Sequence, residues 1–89
     1  PNLQVFPNPF STATNIAARW ETTARVNIEV YNNAGLLVKT LQSGKQLPGS
    51  CQIPWNGKDN IGNILPAGVY LIVLRIDGKE VESVKAIKE

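Results

Sequence analysis

Pro66-Ala67-Gly68-Val69-Tyr70-Leu71-Ile72-Val73-Leu74-Arg75-Ile76-Asp77-Gly78-Lys79-Glu80-Val81-Glu82-Ser83-Val84-Lys85-Ala86-Ile87-Lys88 is the stretch that decides the fold. An apolar run rich in β-branched side chains passes directly into Asp77-Gly78 and then into a second alternating run. This pattern predicts a β-hairpin with a type I′ turn, because both central turn positions need φ > 0. Tyr70, Ile72, Leu74 and Ile76 fall on one face of the first strand, and Val69, Leu71 and Val73 on the other until Arg75 and Asp77 break it. A strand apolar on both faces belongs inside a sheet. Its partner is more polar, with Lys79, Glu80, Glu82, Lys85, Lys88 and Glu89 placed around Val81, Val84, Ala86 and Ile87, as expected where one side meets water.

The segments upstream must cover this hairpin. Leu3 to Phe6 alternates as a short strand, and Pro7-Asn8-Pro9-Phe10 ends it in a rigid corner, since neither proline can donate to a ladder. Thr12 to Trp20 sets Thr14, Ile16, Ala18 and Trp20 on one face. Arg25 to Asn32 turns Val26, Ile28 and Val30 inward and Arg25, Asn27, Glu29 and Tyr31 outward. Asn33-Ala34-Gly35 reads as a hairpin turn into a strand from Leu36 to Leu41. Gln42 to Gly49 reads as a loop crossing between sheets, followed by a strand from Cys51 to Trp55. Asn56 to Asn63 holds too many residues tolerant of positive φ to be anything but tight turns. With no helical period longer than one turn, the expectation is an all-β, immunoglobulin-like antiparallel β-sandwich of about seven strands. Its core is expected to be Ile16, Trp20, Val26, Ile28, Val30, Leu37, Ile53, Trp55, Tyr70, Ile72 and Leu74.

Composition narrows the function. Eighty-nine residues and 9.7 kDa suit a single domain over residues 1–89, exposing roughly 5,000 Å² when folded. The net charge of +2 comes from basic and acidic residues scattered along the chain, which argues against nucleic acid as a partner. No apolar stretch approaches the roughly 20 residues that cross a bilayer. A start at Pro1, with no initiator Met and no export leader, suggests a piece of a longer protein. The single Cys51 has no internal disulfide partner and shares a face with Ile53 and Trp55, which reads as an unreactive core thiol.

The candidate chemistry is thin. With no His in the chain, the usual zinc sites and Cys-His nucleophiles are ruled out. Asn56 to Asn63 offers oxygen ligands but not calcium-loop spacing, since Lys58 and Ala67 stand where ligands are needed. The carboxylates fall mostly at turns and on outward faces, and Ser43 and Ser50 have no candidate base. The sequence therefore calls for no cofactor, no metal and no catalytic residue.

Three motifs in order carry a resemblance: Val5-Phe6-Pro7-Asn8-Pro9-Phe10, Trp55-Asn56-Gly57-Lys58-Asp59 with Gly62, and Pro66-Ala67-Gly68-Val69-Tyr70. Together they resemble the C-terminal sorting domain of type IX secretion cargo. The last two are also similar to the immunoglobulin-like domain of the flagellar hook-capping protein. The resemblance implies a non-catalytic secretion signal at the end of a cargo protein, passing through the periplasm of a Gram-negative bacterium to its surface. The implied partners are an outer-membrane type IX translocon, a sortase-like processing protease and an N-terminal cargo domain in the same chain. The implied recognition residues are Gly68, Val69, Tyr70, Leu71, Gly78, Lys85 and Lys88. Asn56 stands where the family often has Asp, and Glu89 adds an acidic end. A structural immunoglobulin-like spacer or assembly module of a larger extracellular protein is the alternative, since each of these residues also has a structural use.

Overall fold

The computed structural model describes residues 2–89. All regular structure is strand: β1 Leu3–Phe6, β2 Thr14–Trp20, β3 Ala24–Tyr31, β4 Leu37–Gln42, β5 Lys45–Gln46, β6 Gly49–Trp55, β7 Gly68–Ile76 and β8 Lys79–Lys88. One sheet runs β1-β2-β6; the other runs β4-β3-β7-β8, with β5 also pairing β3. All the strand pairings are antiparallel, so the chain is an immunoglobulin-like β-sandwich. Its accessible surface is 5204 Å². The expected seven strands become eight because the crossing loop is not wholly free. Gly44 accepts the Val26 N–H, and Lys45 and Gln46 pair with Arg25 and Ala24 before the chain leaves for the other sheet.

The terminal hairpin forms as its sequence demands. Ile76 pairs with Lys79, and Asp77 and Gly78 take φ of 52° and 83°, the double positive φ of a type I′ turn. Asp77 also ties the turn to β3, accepting the Arg25 N–H at Oδ1 and donating its own N–H to the Arg25 carbonyl. A bulge between Leu74 and Arg75 leaves Val81 as an extra residue, so Glu82 comes opposite Leu74 on the core side. Glu82 was expected on an outward face. Its inward carboxylate instead accepts the Asn2 and Leu3 N–H groups at 2.9 and 3.1 Å, joining the two sheets at the β1–β8 side.

The core comprises Leu3, Phe10, Ile16, Ala18, Val26, Ile28, Val30, Trp55, Tyr70, Ile72, Leu74 and Ala86. Ile53 and Trp20 pack against it half-buried, and the Trp20 indole N–H reaches the Leu47 carbonyl at the rim. Leu37 is not in the core; it is 47% exposed on the outer face. The β3–β4 ladder shifts register twice, so Val38 and Leu41, three positions apart, both reach the core. Strict alternation cannot survive those bulges.

Candidate functional site

The three sequence motifs meet at one end of the sandwich. Phe10 lies against Trp55 with ring centroids 5.4 Å apart, and Trp55 against Tyr70 at 5.6 Å with the rings near perpendicular. Such tilted contacts suit the ring quadrupoles. Each polar handle is satisfied locally: the Trp55 indole N–H donates to the Lys58 carbonyl at 3.0 Å, and the Tyr70 hydroxyl to the Pro66 carbonyl at 2.6 Å. Burial pushes the Tyr70 phenol up from its ordinary pKa. Gly57 is buried at φ 73°, and the Lys88 stem crosses it so closely that an added Cβ would stand 2.6 Å from Lys88 Cε and 3.6 Å from the Phe10 ring.

The proline corner does more than end β1. Asn8 donates its side-chain amide to the Lys85 carbonyl at 2.7 Å and accepts the Ile87 N–H at 2.9 Å. Phe10 then exchanges backbone hydrogen bonds with Ile87 and Glu89. The end of β8 is thereby covered.

What remains available is the outer face of the β4-β3-β7-β8 sheet. Leu37, Tyr31, Leu71 and Lys85 stand in register across its strands, with the Val69–Ile87 pair beside them. Leu37, Val69 and Ile87 are 47%, 43% and 42% exposed, forming an apolar band rather than scattered contacts. A shallow groove of about 430 Å³ follows it, lined by Val69, Leu71, Val73, Tyr31, Arg75, Glu80 and Lys85 among others. A polar cluster closes one side. Arg75 Nε donates to Glu29 Oε1 at 2.9 Å, the Tyr31 hydroxyl donates to the same oxygen at 2.8 Å, and Arg75 Nη2 reaches the Tyr31 oxygen at 3.4 Å. Hydrogen bonds to Tyr31 first, and to Glu29, push the Arg75 pKa up further. Val73, on this outer face, is only 1% exposed. Lys85 has no ion-pair partner among the described residues, which leaves one free cation beside Leu71.

The seven residues implied for recognition therefore separate. Val69, Leu71 and Lys85 share the band; Tyr70, their neighbour in sequence, points into the core. Gly68 pairs with Lys88 at the band's end, with open space where a Cβ would stand. Lys88 was expected as an exposed charge, but it is half-buried with its stem in the aromatic cluster. Gly78 sits at the opposite end of the hairpin, about 25 Å from Tyr70 at 3.3 Å per residue. Leu37, Tyr31 and Ile87 complete the band and were missed, because only the inter-strand register brings them together.

Other candidates resolve into structure. Asp59 Oδ1 accepts the Ile61 and Asn63 N–H groups at 3.0 and 2.9 Å, and Asn56 accepts the Lys58 N–H, so the Asn56 to Asn63 loop is a chain of Asx turns. Among the described residues no three His, Cys, Asp or Glu side chains gather as metal ligands would. Cys51 is half-buried, and burial pushes its thiol up, against the opposing effect of a backbone hydrogen bond at Ala18. No helix of the described residues is long and apolar enough to cross a membrane.

The fold has relatives of known structure. The chain is similar to dimeric latent PorU from Porphyromonas gingivalis, with a TM-score of 0.71 and 23% identity over 97% of this chain and 9% of that one. It is similar to PorZ of the same bacterium, an essential surface component of its type IX secretion system, with a TM-score of 0.65 and 19% identity over 98% of this chain and 11% of that one. At these identities the likeness is one of fold, and the chain spans only a small part of either protein. FLGD from P. aeruginosa gives a TM-score of 0.56 and 27% identity over 98% of this chain and 68% of that one. The search of curated proteins found no match. The FlgD Ig-like domain pattern, however, matches residues 10–85, most of the chain, and the chain belongs to the FlgD Ig-like domain family.

Proposed function

We propose that this FlgD Ig-like domain is a non-catalytic secretion signal, carried at the end of a cargo protein and read by an outer-membrane type IX translocon. The observation that carries this reading is the apolar band of Leu37, Tyr31, Leu71, Val69 and Ile87 beside the free Lys85. An exposed apolar strip with one cation at its margin suits a protein partner. The ordered motifs of type IX cargo domains support the assignment, and so does the shared fold with PorU and PorZ. Under this reading the domain passes through the periplasm to the surface of a Gram-negative bacterium. A sortase-like protease there separates it from the cargo.

The test is a reporter with an export leader, fused ahead of residues 1–89 in a bacterium that possesses type IX secretion. The reporter should reach the surface. Val69→Ser with Leu71→Ser, or Lys85→Ala alone, should leave it in the periplasm while the purified domain melts within a few degrees of the parent. Lys88 is unsuitable for this test because it belongs to the packing around Gly57. A second reading, a structural module of a larger extracellular assembly, is favoured by the family match and by the likeness to FLGD. Failure of the unaltered fusion to be exported would select it.

A further inference from the structure

Identifiable groups cover part of three of the sandwich's outer strand edges. Glu82 takes the N–H groups at the start of β1, and Asn8 and Phe10 cover the end of β8. Asn60 covers β4, donating its N–H to the Val38 carbonyl and accepting the Thr40 N–H. β6 pairs with β2 on one side, and among the described residues no hydrogen bond reaches its other side.

The direction of its backbone groups follows from the ladder. Arg19 donates its N–H to Asn2 on the β1 side, so by alternation Ala18 and Ile16 turn theirs toward β6. Their partners Cys51 and Ile53 face β2, and Ser50, Gln52 and Pro54 aim their backbone outward. All three are exposed. Pro54 stands where its missing N–H removes nothing from the β2 ladder. From Gly49 to Trp55 there is no charged side chain of the kind that usually protects an edge.

We infer that β6 pairs edge to edge with β6 of a second copy of this chain, antiparallel about a two-fold axis at Gln52. In that register each Gln52 N–H meets the Gln52 carbonyl of the other copy, and each Ser50 N–H meets a Pro54 carbonyl. Every outward donor is satisfied, and Pro54 is needed only as an acceptor. The same register sets Cys51 opposite Ile53, covering two half-buried side chains on the core side of the sheet. This self-match, with no like charges opposed, selects a second copy over a foreign strand. The contact is small beside standard interfaces, so the dissociation constant is on the order of 1 mM.

Sedimentation equilibrium and amide exchange on the 89-residue chain test the pairing. The weight-average mass should rise from 9.7 kDa by about half as the concentration approaches about 1 mM. Exchange at Ser50 and Gln52 should slow over the same range. Gln52→Pro removes the central donor without touching the β2 ladder, and Gln52→Lys sets two cations opposite one another. Both should stay at monomer mass, and Gln52→Lys should decide the matter if the proline variant does not fold. A parent chain that remains at 9.7 kDa throughout overturns the inference. So does equal association by the folded variants, or exchange at Ser50 and Gln52 that ignores concentration.

Discussion

Trp55 has the largest fully buried side chain and touches both Phe10 and Tyr70, so removing it empties the centre of the aromatic end. Trp55→Ala should cost about 3 to 5 kcal/mol, read as a fall in the midpoint of urea unfolding. Gly57 separates two effects that usually arrive together. A methyl there would strike Lys88 Cε, the far end of a flexible side chain that can swing away, whereas φ of 73° strains any L-residue. The backbone should therefore dominate, with Gly57→Ala costing about 1 to 2 kcal/mol. Lys88→Ala should recover less than about 0.5 kcal/mol of that in a double-mutant cycle. At Cys51 burial raises the pKa, so the unfolded chain ionises first. The stability this group contributes is full below the ordinary thiol value of 9.0 and is lost as pH rises through the higher folded value. Cys51→Ser should flatten that alkaline decline in melting temperature. Ile16, Val26, Trp55 and Tyr70 were legible as core because each lies on an unbroken alternation. Leu37 was misread because bulges break its alternation, and Ala18 and Ala86 escaped because a methyl gives little hydrophobic signal.

At the scale of elements, the hairpin was the most legible part, since Asp77-Gly78 states its turn type locally. Gly78→Val forces a β-branched side chain to φ of 83° and should lower the melting temperature by several degrees, about 4 to 8 °C per kcal/mol in a domain of this size. The edge closures were not legible. Glu82 lies 79 residues from the Leu3 N–H it accepts, and only a bulge turns it inward. Glu82→Ala should cost about 1 to 2 kcal/mol by leaving the Asn2 and Leu3 N–H groups without their charged acceptor, with faster exchange of the Leu3 amide as the local readout. The corner at Pro7 to Phe10 was recognised as rigid, but its grip on β8 depends on a partner at the far end of the chain.

For the molecule as a whole, the motifs that carry the family resemblance turn out to be the packing of one end: Phe10, Trp55 and Tyr70 hold the sheets together there. The outward residues Val69 and Ile87 on the same hairpin stay exposed in the band. The family resemblance groups Val69, Tyr70 and Leu71, whereas the pleat, already legible in the strand's alternation, sends Tyr70 to the core and its neighbours to the band. The most direct test places a photoreactive residue at position 71 in the band, and separately at exposed position 19 on the opposite sheet, in an exported reporter fusion. Position 71 should cross-link to an outer-membrane protein during export, and position 19 should not. Export of both fusions with no cross-link from position 71, or with equal cross-links from the two faces, would contradict recognition through the band.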